Sequence, residues 1–484
     1  MNAAPLPTEA DVTDLAEARH AKAVADALDG RPLTDVGNAE RLVALHGRDL
    51  RYSVPEKVWY LWDGRRWRRD ETREVERRAV DTLRALVRLA NDQPAKRKTL
   101  LFNWAVKSES SRSIEAMIKR AGALPGVAVT PASFDAHPFL LNVENGVLDL
   151  TTGDLKDHDR DLLLTKLAPV AYDPAATCPL WLAAIDRMFA HNEATIAYLA
   201  RAIGYTLTGD IREQCLHILH GSGANGKSTF VNAIAALMGD YAVTADFESF
   251  LDAGRARGGN AHSEDVARLA GARFVRASEM GEGRRLNEEM LKKVTGMEVV
   301  TARRLHERSI EFTPAFKLWL SANHRPGVRG TDHAIWRRLR LVEFGVTIPA
   351  HERDATLGDR LKDELPGILA WATRGALEWR ESGLNPPESV LLATEAYRTE
   401  SDVLGAFFED CCKIEEISQE ASTALYGAFR TWARENGEYE LSQTMFGRRL
   451  EDRGFPVVKS HGVKYRRGLK LKDSMADSGQ GGMF

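Results

Sequence analysis

The chain has 484 residues, too many for one ordinary hydrophobic core, so two or three domains are expected. Hydrophobic residues make up 44% and charged residues 28%, a globular balance that excludes a disordered or fibrous chain. A net charge of −3 excludes a polycation that simply coats nucleic acid, and the absence of any apolar run of about 18 residues argues against a membrane partner.

The first residues, MNAAPLPTEADVTDLAEARHAK, carry acids where a signal peptide needs an apolar stretch. Cys178, Cys215, Cys411 and Cys412 show no metal-ligand spacing and no disulfide framework, which implies a reducing cytoplasm. Residues 1–34 read as a flexible tail, and 35–205 as an α+β domain. Within it, RYSVPEKVWYLWDGRRWRRD from Arg51 alternates aromatic and polar residues and predicts a β-meander turning at Asp63-Gly64. The tryptophans at 59, 62 and 67 fit its core better than a base-stacking surface. Residues 71–125 have helical periodicity, and FLLNVENGVLDLTTGDL at 139–155 predicts two short strands joined through Asn145-Gly146.

Residues 206–395 are expected to form an α/β domain around a parallel sheet. After helices at 180–206, the strand at 216–220 breaks into Gly221-Ser222-Gly223-Ala224-Asn225-Gly226-Lys227-Ser228-Thr229 and then a helix. G-x4-G-K-S between strand and helix is a phosphate-binding loop: its N–H groups curl toward an anion, Lys227 reaches the β and γ oxygens, and Ser228 reaches Mg²⁺. ATP with Mg²⁺ is the expected ligand. The plain alternative is a glycine-rich turn at a helix start. Three strand ends follow in order. Glu279 ends RLAGARFVRASE, where a carboxylate can assist the metal or polarise water. Asn323 ends AFKLWLSAN, where an amide can hold that water, and Arg337 and Arg338 precede the strand in DHAIWRRLRLVEF, where an arginine can complete a neighbouring subunit's site. Between them, apolar arms around Val299-Val300 and Ile310-Phe312 flank a basic hairpin tip with Arg303, Arg304 and His306. Such a tip suits nucleic-acid phosphates; an ordinary surface hairpin is the alternative.

The polar stretch EAYRTESD at 395–402 reads as a linker. Residues 403–472 predict three helices and a two-stranded basic wing, a winged-helix-like domain with Arg448 and Arg449 on the recognition helix and Lys464, Arg466 and Arg467 on the wing. Residues 473–484 read as a disordered tail. Basic residues concentrate in two places: 11 Lys/Arg against 4 Asp/Glu over 291–340, and 9 against 2 over 448–472. These suggest two confined anion-binding surfaces.

The series GSGANGKST, VRASEMGEGRRLNEEMLKKVTG, VVTARRLHERSIEFTP, FKLWLSANHRP and TDHAIWRRLRLVEF resembles superfamily 3 DNA helicases. It is closest to the phage and plasmid primase C-terminal helicase type related to poxvirus primase-helicases. Upstream, TDVGNAERLV, WDGRRWRRD and NVENGVLDLTTG resemble the segment that precedes that core. The resemblance implies a P-loop, AAA+-like ATPase core with an N-terminal collar and a DNA-dependent ring, a hexamer by expectation. It implies Lys227 and Ser228 for phosphate and metal, Glu279 as catalytic acid and metal support, and Asn323 as γ-phosphate sensor. Arg338 would be the finger in preference to Arg337, and Lys292 a cation reaching across the subunit boundary. The hairpin would project into a central channel. Many members end the second strand with two adjacent acids, whereas here Ser278 precedes Glu279. A separate primase or initiator as partner and a bacterial host cytoplasm also follow from the resemblance. Two other readings stay open: an ATP-dependent origin-melting initiator, and a P-loop phosphotransferase, which predicts a monomer and leaves the basic segments unused. Without a zinc ribbon or a long N-terminal segment for polymerising carboxylates, priming is not expected.

Overall fold

The computed structural model describes residues 22–251, 264–278, 284–303, 309–328, 333–438 and 440–472. The expected meander forms from β1 (Leu50–Ser53), β2 (Val58–Trp62) and β3 (Trp67–Arg69), with β4 (Ala128–Val129) added parallel to β1. Asp63 shapes the β2–β3 turn by accepting from the Arg65 and Arg66 amides, both at 2.9 Å, and Gly64 takes φ +97°. Trp67 is fully buried and its indole donates to the Arg160 carbonyl at 2.8 Å, so it belongs to the core. Three helices, Glu74–Asn91, Ala95–Ser108 and Ser111–Ala121, fill 74–121 as the periodicity predicts. The stretch from 139 yields three antiparallel strands rather than two: β5 (Leu140–Val143), β6 (Gly146–Asp149) and β7 (Asp154–Lys156). β7 is exposed throughout, so no apolar alternation announced it.

The central sheet has five parallel strands in the order β14-β8-β13-β10-β9. These are β8 (Leu216–His220), β9 (Ala242–Thr244), β10 (Phe274–Ser278), β13 (Lys317–Ala322) and β14 (Leu339–Glu343). The hairpin β11 (Val300–Arg303) and β12 (Ser309–Phe312) stands apart as its own ribbon. β8 and β13 are buried along nearly their whole length, as continuous apolar runs in a covered parallel sheet should be. The chain runs from β8 to the far edge at β9, returns through β10 to β13, and then crosses β8 to place β14 on its other side. Ligands in open α/β sheets sit where strand order reverses in this way, beyond the carboxyl ends of the strands.

The core does not part at 205. Leu141, Val143, Leu148 and Leu150 from β5–β6 share one apolar cluster with Trp181, Phe230, Trp319 and Trp371. The helices Glu193–Leu207 and Leu365–Ser382 cross so closely that a Cβ on Gly204 would lie 2.1 Å from the Ala376 nitrogen, and one on Gly375 2.0 Å from the Ala200 carbonyl. Residues 139–207 therefore pack with the central sheet, while two smaller clusters, from Leu28 to Ala121, serve the N-terminal helices and meander. The expected linker at 395–402 is also corrected. Residues 388–400 are one helix, and its buried Tyr397 stacks edge-on against Trp336 at 5.1 Å. The sequence looked polar there because most other side chains of that segment face solvent.

The C-terminal module has its own core around Leu404, Phe407, Phe429 and Phe446. Helices Val403–Cys411, Ser422–Glu435 and Gln443–Asp452 pack on a sheet of three strands, not two: β15 (Cys412–Ala421), β17 (Val463–Leu471) and β16 (Val457–Ser460). β15 escaped the sequence reading because it is a charged edge strand with a register shift between Ile414 and Gln419. Among the described residues, no helix is long and apolar enough to cross a membrane.

Candidate functional site

The glycine-rich loop leaves the carboxyl end of β8 and enters the helix Lys227–Met238. Gly223 (φ +103°), Ala224 (φ +51°) and Gly226 (φ +87°) all take the left-handed region, which curls the backbone into a concavity. Ala224 holds that conformation despite its Cβ, fixed by its carbonyl accepting from the Ile348 amide at 2.8 Å. A Cβ on Gly221 would come within 2.6 Å of the Phe344 carbonyl oxygen, as well as 2.3 Å from Asn225 Nδ2, so only glycine admits this path.

Lys227 is 6% exposed. Its ammonium folds back into the loop, donating to the Gly221 carbonyl and, at 3.2 Å, to Asn225 Oδ1. Burial pushes it below the ordinary lysine range. Asn225 in turn donates through Nδ2 to the Phe344 carbonyl at 3.2 Å, just past β14. The side chain of Asn225 thus points inward and braces the loop, a role the motif did not reveal because its partner lies 119 residues away. Ser222 and Ser228 are exposed at the rim, with Thr229 half-buried behind them.

Register places the neighbouring strand ends. Ala322 of β13 pairs with His220 of β8, and the Gly221 amide reaches the Ala322 carbonyl at 3.4 Å, so exposed Asn323 emerges beside the loop. β10 ends level with β13, Ser278 pairing with Ser321. Glu279, which follows, lies outside the described residues, as do Arg304 and His306; for Arg303 the structure gives only its backbone, at the end of β11. Lys292 sits in the last turn of the short helix Glu288–Val294, half-buried and with an interaction of its own.

The two arginines before β14 separate clearly. Arg338 is 8% exposed, and its Nη1 donates to Gln214 Oε1 at 2.9 Å, while Arg337 is exposed. Arg338, the expected finger, is thus held against Gln214 in this chain, whereas Arg337 is the one open to solvent. β14 runs parallel to β8, with Leu339 beside Leu216 and Glu343 beside His220. Both arginines accordingly lie at the end of the sheet opposite the loop.

On the C-terminal module, Arg448, Lys464 and Arg467 are exposed. Arg466 is not available: it is 6% exposed and donates to the Phe455 carbonyl at 3.0 Å. Adjacent residues of a strand point to opposite faces, so Arg466 and Arg467 cannot share a surface. Arg449 is half-buried and lines a groove shared with Arg325, Tyr397 and Glu400.

The site thus combines a glycine-rich loop in the left-handed region, a buried lysine and the carboxyl ends of a parallel sheet at the point where its strand order reverses. Comparison with known proteins adds to this. Three family models match in chain order: "D5 N terminal like" over 39–190, a "family of unknown function" over 219–338, and "Poxvirus D5 protein-like" over 399–467. A "putative helicase" of Acanthamoeba polyphaga mimivirus is 25% identical over 430 residues, covering 79% of this chain and 44% of that protein. A "putative helicase" of Frog virus 3 is 27% identical over 266 residues, covering 51% of this chain and 27% of that protein. A "putative primase" of African swine fever virus is 26% identical over 252 residues, covering 50% and 25%. The chain thus spans less than half the length of these relatives. The apo structure of the NrS-1 C-terminal region matches with a TM-score of 0.48 and 11% identity, covering 87% of this chain and 95% of that one. Segments of the chain thus match D5 N-terminal-like and poxvirus D5-like models, and the relatives it resembles are named putative helicases or primases.

Proposed function

We propose that this chain is the ATP-hydrolysing motor of a replicative DNA helicase, working as a ring, a hexamer by expectation, on a single strand or fork. The observation that carries the reading is the register of β13 on β8, which sets Asn323 beside the loop holding Lys227. Those are the two groups that a triphosphate's terminal phosphoryl needs near it.

The residues present fit ATP with Mg²⁺. The left-handed turns at Gly223, Ala224 and Gly226 suit a loop that wraps an anion, Lys227 can exchange its bonds to Gly221 and Asn225 for phosphate oxygens, and the exposed Ser228 hydroxyl can hold the metal. The bound metal would neutralise charge on the phosphates. Lys227 grips the phosphoryl group, Asn323 orients water, and Glu279 serves as the acid that polarises it. Ring action rests on the arginines. A five-residue strand separates them from their own loop, roughly 16 Å at about 3.3 Å per residue, so an arginine there serves a neighbour's nucleotide. Exposed Arg337 takes the finger role, Arg338 braces it, and Lys292 assists across the same boundary. The helicase domain spans 206–395 with 139–205 packed beneath it, the N-terminal part acts as collar, and the winged-helix module at 403–472 contacts DNA through Arg448, Lys464 and Arg467. The hairpin offers Arg303, Arg304 and His306 to the threaded strand.

Lys227→Ala should abolish ATP hydrolysis and strand displacement while leaving the melting temperature and circular dichroism near wild type. Vigorous unwinding by that variant would overturn the reading.

A further inference from the structure

Two residues past Asn323, Arg325 ties three elements together. Its Nη2 donates to Glu343, the last residue of β14, at 2.8 Å, and its Nη1 pairs with Glu400, the last residue of the helix Glu388–Glu400. Pro326 follows and restricts the Arg325 backbone, and the Tyr397 hydroxyl donates to the Pro326 carbonyl. The segment carrying Asn323 is thereby pinned to β14 on one side and to that helix on the other. Glu343 also lies 3.9 Å from His220, the residue before Gly221, and precedes Phe344, whose carbonyl holds Asn225.

Beyond Glu400 the chain passes through Ser401 into Asp402, which caps the helix Val403–Cys411 by accepting from the Gly405 amide at 3.0 Å. Asp402 also pairs with Arg453, the residue that ends the helix Gln443–Asp452 bearing Arg448 and Arg449. A groove of about 270 Å³ marks this junction, lined by Arg285, Arg325, Tyr397, Glu400, Glu438 and Arg449 from both sides. Polar contacts, joined through the backbone at 343–344 and 400–402, thus lead from the glycine-rich loop to the exposed helix of the C-terminal module.

We infer that Arg325 is a positioning residue that couples nucleotide occupancy at the loop to DNA binding by the C-terminal module, through Glu343 and Glu400. This rests on the ATPase reading above. A shift of Asn323 toward a bound triphosphate moves Arg325 with it, so the Glu400 contact, and the module behind it, takes a different place when the site is filled. Coupling of this kind is reciprocal: the factor by which nucleotide tightens DNA equals the factor by which DNA tightens nucleotide. Ion pairs as exposed as Arg325–Glu400, with Glu400 63% exposed, contribute little to stability, so breaking this one spares the fold.

The test uses the full chain, a fluorescent non-hydrolysable ATP analogue and a thirty-nucleotide oligo-dT. Each dissociation constant is measured alone and with the other ligand saturating. Wild type should show a coupling factor of about fivefold or more, the same from either direction. Glu400→Gln should bind each ligand alone within about twofold of wild type, melt within about 2 °C of it, and lose most of the coupling. Arg325→Met should repeat that loss and Arg325→Lys should retain part of the coupling. An undiminished factor in Glu400→Gln overturns the inference, as does a wild-type factor of one with both ligands bound. A wild-type chain that fails to bind the analogue at all overturns the ATPase reading and this inference with it, a failure distinct from the other two.

Discussion

His217 lies in the strand that delivers the loop, and its chemistry is set by what surrounds it. It is fully buried, its ring stacks on Trp319 at 4.0 Å, and its Nε2 shares a hydrogen bond of 3.0 Å with the Tyr198 hydroxyl. Burial, with Arg340 adding repulsion, pushes its pKa from 6.5 down to about 3. The folded value lies below the unfolded one, so between them the unfolded chain holds a proton that the folded chain does not. Stability therefore rises with pH through that window and is lost as pH falls from about 6.5 toward 3, at up to ~1.4 kcal/mol per unit. His217→Gln keeps a hydrogen-bonding group for Tyr198 and should flatten this acid limb, read as the urea midpoint at pH 4.5 against pH 7. An equally steep loss in the variant would place the acid sensitivity elsewhere. The same principle of surroundings over identity separates Arg337 from Arg338, neighbours in sequence of which only the first reaches solvent.

At the scale of elements, β17 shows how a pleat divides a run of like charges. Arg466 points into the module and Arg467 out of it. Arg466→Ala should lower stability, because the packing around the guanidinium and the bond to Phe455 are lost together, while DNA affinity per folded molecule holds. Arg467→Ala should leave the melting temperature alone and reduce the slope of log affinity against log salt by about one. Equal salt slopes in both variants would remove this wing from the DNA surface. The helix Glu388–Glu400 teaches a related lesson. A stretch that looked like a linker carries Tyr397 into the core and Glu400 to the junction, so it transmits position where a flexible segment could not.

For the whole molecule the question is whether one copy can complete its own site. The arginines and the glycine-rich loop sit at opposite ends of the same sheet, so under the proposed ring reading an arginine would serve a neighbouring copy. Arg337→Ala should lose ATPase when alone and regain a fraction of it when mixed with Lys227→Ala, since mixed neighbours restore one intact site. Arg338→Ala should lose stability first, its Gln214 contact being internal. Absence of any rescue, together with a monomeric native mass in the presence of ATP and forked DNA, would dismiss the shared site.

Sequence by itself determined the local chemistry. It supplied the G-x4-G-K-S spacing between strand and helix, the polar residues at strand ends, the basic concentration at the C-terminus and the helical periodicity of 71–125. Such features depend on neighbours within a few residues, and the chain states them directly. Tertiary structure alone decided which strand ends meet. β13 and β8 are a hundred residues apart in sequence yet pair residue for residue, and their pairing brings Asn323 to the loop. It also decided which arginine of the 337–338 and 466–467 pairs is exposed, that β15 exists, that Asn225 braces Phe344, and that Arg325 bridges Glu343 and Glu400. These are outcomes of non-local packing, where burial and register act on residues that no spacing rule connects.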